Sequence, residues 1–328
     1  MSTEPKTLGR KAMINPDNRI VTVFGGGGFI GRYTCEQLFR NDARVRVASR
    51  DPRSAYFLQP LAPVGQWGRV RADVMNAASV REAVRDSSAV INLVGTFGGA
   101  LHATHVDGAR HIAEAAREAG ATALVHISAI GADPEGESVY GRTKGEGEIA
   151  VRTAFPAATI MRPSIVFGPE DGLTNRLASL SRLPVLPVIA AKRRFQPVYV
   201  QDLARAIAMA ALDPRTFGGK TFEIGGPQTM TMEDIYAVCA RSAGRKPEMV
   251  DIPNFASSFL SLFGFLPGAP LTRDQWKMLQ RDNLPARKST GLEAFGIEPT
   301  ALGAVAPDWL GRFRQGGRWA ARAAAQAA

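Results

Sequence analysis

The chain has 328 residues, 45% hydrophobic and 21% charged, an ordinary globular composition that excludes a disordered polymer, a collagen-like repeat and a small disulfide scaffold. Forty Lys and Arg against 30 Asp and Glu leave a net charge of +10, which favours an anionic partner: a phosphorylated cofactor, nucleic acid or a membrane surface. Cys35 and Cys239 stand far apart with no Cys-x-x-Cys, so neither a disulfide framework nor a metal site is expected, and a reducing cytoplasm is the simplest compartment.

Residues 1–18 read as a polar N-terminal extension without the apolar core of a secretory signal. Residues 19–24 read as a buried strand, 25–31 as a glycine-rich turn and 33–41 as a helix. Strands follow at 45–48, 69–73, 89–94 and 123–128, with helices at 79–85 and 107–119 between them; Gly120 closes the second of these helices. Further along, 159–163 reads as a core strand, 173–183 as a helix, and Pro184 and Pro187 break the next stretch. A short strand at 197–200, a helix at 202–212, a strand at 221–224 and a helix at 232–242 complete the regular part. Strands alternating with helices of this size predict an α/β fold: a Rossmann-type doubly wound parallel sheet with a smaller C-terminal substrate or interface subdomain. The expected division is 19–170 for the nucleotide-binding domain and 171–300 for a mixed segment. Within that segment, about 196–226 completes the Rossmann core. A basic Ala/Arg-rich tail follows at 301–328. No apolar run reaches the roughly 18 residues of a spanning helix.

Gly25, Gly28 and Gly31 sit between a strand and a helix. That spacing lets backbone approach a pyrophosphate, and the helix N-terminus, with Phe29 and Ile30 in its opening, offers free N–H groups to it. After the second strand stands Ser49-Arg50-Asp51-Pro52-Arg53. An arginine there suits a ribose 2′-phosphate and a carboxylate suits a 2′-hydroxyl, so Arg50, helped by Ser49, Arg53 or Arg32, favours NADP(H) over NAD(H), with Asp51 as the competing feature. Asp73, after the third strand, fits either an adenine contact or a helix N-cap. Val94 and Gly95, after the fourth strand, leave room for a nicotinamide ribose.

Tyr140 and Lys144 form a Tyr-x-x-x-Lys pair on one helix face. A lysine ammonium beside a phenol lowers the phenol's pKa and fits it for acid/base work at a carbonyl or alcohol. Ser128, at the end of the fifth strand, is placed to hydrogen-bond the same substrate oxygen. The four histidines, His102, His105, His111 and His126, read as packed or solvated imidazoles rather than metal ligands.

With these landmarks, and with Arg162-Pro163-Ser164-Ile165-Val166-Phe167-Gly168 and Val198-Tyr199-Val200-Gln201-Asp202, residues 20–227 resemble the short-chain dehydrogenase/reductase superfamily in its extended or atypical branch. That resemblance implies a nicotinamide cofactor, Tyr140 as acid/base, Lys144 also on the nicotinamide ribose, and Pro163, Ser164 and Ile165 lining the nicotinamide pocket. The runs 154–160, 167–171 and 195–200, with 270–275 and Asp282-Asn283, resemble more closely the NADPH-binding accessory subunit of respiratory complex I, the alpha subcomplex subunit nine family, and its bacterial relatives. This closer resemblance implies a nucleotide held structurally and partners in complex I or quinone biosynthesis. Two departures weaken the case for fast turnover. The helix near His105 lacks the asparagine usual in extended reductases, and only Ser128-Ala129 follows the fifth strand.

Phenylalanines and leucines crowd 255–266, and Lys277, Arg281, Arg287 and Lys288 follow, a pattern that fits peripheral membrane contact through 255–288, a lid or a protein interface. Nucleic acid is not expected, because no helix-turn-helix, zinc spacing or aromatic-interleaved basic strand is evident. The compartment that fits is cytoplasmic, with peripheral placement on the cytoplasmic face of the inner membrane.

Overall fold

The computed structural model describes residues 20–252 and 273–315. The apolar run 255–266 lies outside them. Seven parallel strands form the central sheet: β1 (Ile20–Phe24), β2 (Arg44–Ser49), β3 (Trp67–Arg71), β4 (Ala89–Asn92), β5 (Ala123–Ile127), β6 (Thr159–Pro163) and, after four short strands, β11 (Thr221–Ile224). Their order is β11-β6-β5-β4-β1-β2-β3. β1 lies between β2 and β4, so the winding reverses there, and the crevice outside the carboxyl ends of those strands is where such sheets bind ligands.

The strands explain this placement. Every residue of β4 and β5 is buried, as helices on both faces require of a parallel strand. Val21 and Val23 pack to one side, with Leu38 of α1 (Phe29–Arg40) and Leu203 of α6 (Val200–Leu212). Phe24 packs to the other, with Val80 of α2 (Ala77–Val84), Ile112 of α3 (Gly108–Glu118) and Val151 of α4 (Val139–Ala154). Helices therefore begin or end on the same edge of the sheet where the site is built.

A third core forms the smaller C-terminal subdomain. It joins β7 (Val166–Phe167), α5 (Gly172–Leu180), β8 (Val185–Ile189) and β9 (Arg194–Phe195) to α8 (Met232–Ser242) and β13 (Glu248–Ile252). β10 (Val198–Tyr199) pairs with β7, and β12 (Met230–Thr231) pairs with β9. The proline-broken stretch is a strand after all: β8 runs through Pro187 and pairs in parallel with β13. It is an edge strand, where proline is tolerated. A helix at Leu302–Leu310 packs Leu302, Ala306 and Trp309 into this core, so packed chain continues past the expected start of the tail at 301.

Candidate active site

The glycine turn is dictated by contact. Gly25 has φ +80° and lies against the Leu93 backbone. A Cβ at Gly31 would stand 2.3 Å from the Gly25 oxygen, so only glycine lets α1 start so close to the turn. α1 opens at Phe29, four residues ahead of the sequence expectation, with Gly28 as N-cap and no side chain capping it. The Gly28 N–H donates to the Gly25 carbonyl at 2.9 Å and closes the turn, while Phe29, Ile30 and Gly31 bring the orphan N–H groups of a helix start to the crevice, the arrangement an anionic pyrophosphate needs.

Beyond β2 and β3, Arg50, Asp51, Pro52, Arg53, Tyr56, Arg69 and Arg71 line an open hollow of about 610 Å³. Asp51 uses one carboxylate oxygen to accept from the Arg53 N–H, at the N-cap of the 3-10 helix Pro52–Leu61. Arg69 lies over the Tyr56 ring at 4.0 Å. Arg32 is not available to this hollow as the sequence suggested; it pairs with Glu170, which also accepts from the Tyr33 hydroxyl. Asp73 does not cap α2. Asn76 does, accepting from Ala78 and Ser79, while Asp73 accepts from the Met75 N–H.

Val94 and Gly95 follow β4 directly, and the Val94 N–H is fixed by the Asn92 side chain at 3.0 Å. At β6, Pro163 and Ser164 are buried and Ile165 is half-buried. The Ser164 hydroxyl donates to the Asn283 side chain at 2.7 Å, and Asn283 also donates to the Ile130 carbonyl. Asn283 thereby braces the loops after β5 and β6.

Lys144 reaches the end of β5 beside Ser128, and Tyr140 stands one turn earlier on α4. Ser128 is 4% exposed and its Oγ has no hydrogen-bond partner. Lys144 is 3% exposed and donates from Nζ to the Ile127 carbonyl at 2.6 Å. Burial brings its pKa down to about 8, against a raising pull from Glu148. The expectation that Lys144 depresses the Tyr140 phenol is corrected here. Burial pushes Tyr140 up to about 12, and the ammonium is engaged by a main-chain carbonyl. The Tyr140 ring is stacked on Phe97 with centroids 4.7 Å apart and planes 15° apart.

His105, read from sequence as a packed imidazole, organises this region. It is 2% exposed, on a π-helical turn (Ala103–Asp107) that leads into α3. Its Nε2 accepts from the Thr96 N–H at 3.1 Å, and Nδ1 lies 2.9 Å from the Thr143 hydroxyl, which donates to the Tyr140 carbonyl. Accepting at Nε2 places the proton on Nδ1. Burial, then the nearby Lys144, lowers its pKa to about 4, so it is neutral at pH 7. The ring meets Tyr140 edge-on at 5.4 Å. A π turn is a common device at functional sites, but its signal in the sequence was a histidine where a family asparagine was expected. Asp274 was also missed. Its carboxylate accepts from the N–H groups of Val139 and Tyr140 at 2.7 and 3.0 Å. Contacts separated by more than 130 residues leave no local pattern.

These features fit a dinucleotide: an uncapped helix start beyond a cradle that a Cβ would fill, an arginine hollow at one end, and an orphaned buried hydroxyl at the other. Among the described residues, no group of three or more metal-ligating side chains is present, and no helix is long and apolar enough to cross a membrane.

Residues 21–225 match the model of the NAD dependent epimerase/dehydratase family. The rat mitochondrial NADH dehydrogenase [ubiquinone] 1 alpha subcomplex subunit 9 is 33% identical over 304 residues, covering 90% of this chain and 80% of the relative. Ceramide reductase of Caulobacter vibrioides is 31% identical over 244 residues, covering 72% and 74%. An NADPH-dependent quinone oxidoreductase of Escherichia coli, solved with NADPH, superimposes with a TM-score of 0.72 at 18% identity, covering 88% of this chain and 99% of that one. The family match across the Rossmann frame and the near full-length subunit 9 relative agree, and the chain belongs to the NAD dependent epimerase/dehydratase family, with the complex I alpha subcomplex subunit 9 proteins among its relatives.

Proposed function

We propose that this protein holds NADP(H) as a structural group, as a complex I accessory or assembly-type or ubiquinone-linked protein. The observation that carries this reading is the state of Tyr140: its ring is covered by Phe97, its phenol is raised, and Lys144 is turned to a main-chain carbonyl. Gly25, Gly28, Phe29, Ile30 and Gly31 would hold the pyrophosphate. Arg50, with Arg53 and Arg71, would hold the 2′-phosphate, and Asp73 the adenine. Val94, Gly95 and Lys144 would face the nicotinamide ribose, and Pro163, Ser164 and Ile165 the nicotinamide. A site of this kind adds stability by binding the native state alone. The subunit 9 relatives support placement beside complex I or quinone-biosynthesis proteins, and the basic residues 277–288 suit an acidic subunit or membrane surface on the cytoplasmic side of the inner membrane.

A second reading, a soluble NADP-dependent oxidoreductase or epimerase acting on a small carbonyl, sugar or quinone-related substrate, is favoured by the unpaired Ser128 Oγ. The bound nicotinamide would supply or accept hydride. Ser128 would donate to a substrate carbonyl oxygen, and Tyr140 would pass that oxygen its proton. Lys144, released from Ile127, would stabilise the resulting phenolate.

One experiment separates the two readings. Protein purified by gel filtration is followed by NADPH fluorescence and offered a panel of carbonyls and quinones. Retention of NADPH without its oxidation is the expected result. Turnover that disappears in Tyr140→Phe replaces the structural reading with the enzymatic one.

A further inference from the structure

β4 ends at Asn92, and the chain leaves the sheet there. The Leu93 N–H still donates to the Phe24 carbonyl of β1 at 3.0 Å. The next N–H, that of Val94, donates to Asn92 Oδ1 at 3.0 Å. That bond settles which end of the carboxamide is which. The oxygen faces Val94, so the nitrogen faces His126, the neighbour of Asn92 on β5, and Asn92 Nδ2 donates to His126 Nδ1 at 3.1 Å. A carboxamide turned end for end would set two donors against each other at Val94. Accepting at Nδ1 puts the His126 proton on Nε2, and Nε2 is buried without a hydrogen-bond partner. The residue is 1% exposed. Burial, then the charge of Lys144, hold its pKa well below the usual 6.5, so the ring is in the neutral form that this relay needs.

An unsatisfied buried donor costs stability, so core packing alone gives no reason for a histidine at 126. The acceptor it offers to Asn92 does, and what that relay holds is the start of the loop after β4. The Leu93 backbone lies 3.3 Å from where a Cβ of Gly25 would stand, so this loop and the glycine turn touch. Gly95 is required neither by a left-handed φ nor by a neighbouring atom, since a Cβ there would meet nothing within 4 Å; the space beside it is open. We infer that His126, acting through Asn92, is a positioning residue for the nucleotide: it sets the direction of the chain at residues 93–95, where the loop meets the glycine turn. This inference rests on the reading that a nicotinamide nucleotide fills the crevice.

The test titrates the full-length protein with NADPH by fluorescence and measures its chemical unfolding without nucleotide. His126→Leu keeps the bulk and removes the acceptor. It is expected to weaken NADPH binding about three- to tenfold, the range of one net hydrogen bond. Its unfolding midpoint should stay near that of wild type, because one orphan donor, His126 Nε2, is exchanged for another, Asn92 Nδ2. His126→Asn keeps a side-chain acceptor for Asn92 but leaves a cavity. It should bind NADPH within about twofold of wild type while its midpoint falls. Binding and stability then separate, which a merely structural histidine does not allow. Asn92→Ala should weaken NADPH binding as His126→Leu does, and the double variant should lose no more than the worse single one. Wild-type affinity in His126→Leu overturns the inference. So does an affinity that follows the midpoint in both His126 variants, or full additivity in the double variant. If His126→Leu does not fold, Asn92→Ala decides: NADPH bound as tightly as by wild type overturns the inference. Wild-type protein that binds no NADPH overturns the nucleotide reading and this inference with it, and that is scored before any variant is titrated.

Discussion

His105 shows how one buried side chain ties a site to the pH scale. An unfolded histidine titrates near 6.5, and burial brings this one to about 4. The folded state therefore binds fewer protons than the unfolded state between those values. Its contribution is fully present above pH 6.5, and it is lost as pH falls toward 4. His126, fully buried and hydrogen-bonded to Asn92, shifts in the same direction. His105 contributes up to about 1.4 kcal/mol per pH unit inside its window. The midpoint of chemical unfolding is expected to fall between pH 7 and pH 5, and His105→Asn should make that slope shallower. An identical slope in the variant means that other groups set the acid limit. The one sign around residue 105 was a histidine in place of the family asparagine; the role itself was hidden, because both partners of the ring, Thr96 and Thr143, are brought to it by packing.

Helix α4 carries the acid/base pair, and its first turn is held from outside the helix as well as from within. Ser138 accepts from the Gly141 N–H, a local cap that a sequence pattern reveals. Asp274 takes the N–H groups of Val139 and Tyr140 from the short helix Arg273–Met278, which follows in the chain by more than a hundred residues. Lys277 adds a bond to the Glu137 carbonyl. A carboxylate at a helix N-terminus satisfies orphan donors and meets the positive end of the dipole. Asp274→Ala leaves two N–H groups unpaired beside Tyr140 and is expected to cost about 1–2 kcal/mol. Hydrogen exchange should show the first turn of α4 losing protection while β4 and β5 keep theirs; unchanged exchange at Val139–Gly141 removes Asp274 from the support of this helix. The same contrast explains what could be read in advance at this scale. β1, β4, β5 and the glycine turn were legible because their signals are contiguous: a buried apolar run, then glycines, then helical periodicity. The start of α1 was misplaced by four residues, where glycine sets it, the π turn ahead of α3 was not foreseen, and the pairing of β8 with β13 was hidden by Pro184 and Pro187.

At the scale of the molecule, the +10 charge divides into two fields. Residues 240–328 carry 12 Lys and Arg against 7 Asp and Glu, so half the surplus lies in about a quarter of the chain. The rest includes the hollow where Arg50, Arg53, Arg69 and Arg71 face a single carboxylate, that of Asp51. The composition alone gave only an anionic partner; the fold adds where a phosphate would sit, because β2 and β3 place those arginines at the end of the crevice that the glycine turn begins. A ligand that binds only the folded state at a hundred times its Kd adds about 2.7 kcal/mol. In a chain of this length that raises the unfolding midpoint by several degrees. NADPH is expected to raise it more than NADH at equal concentration, since only NADPH brings a 2′-phosphate to the arginines. Arg50→Ala combined with Arg71→Ala should reduce the NADPH shift to that of NADH and leave the NADH shift where it was. The difference between the nucleotides should also narrow in 0.5 M salt, roughly the range in which an exposed charge contact is screened. Equal shifts with both nucleotides in the unmodified protein would place the arginine hollow outside the cofactor site and leave its charge to another anionic partner.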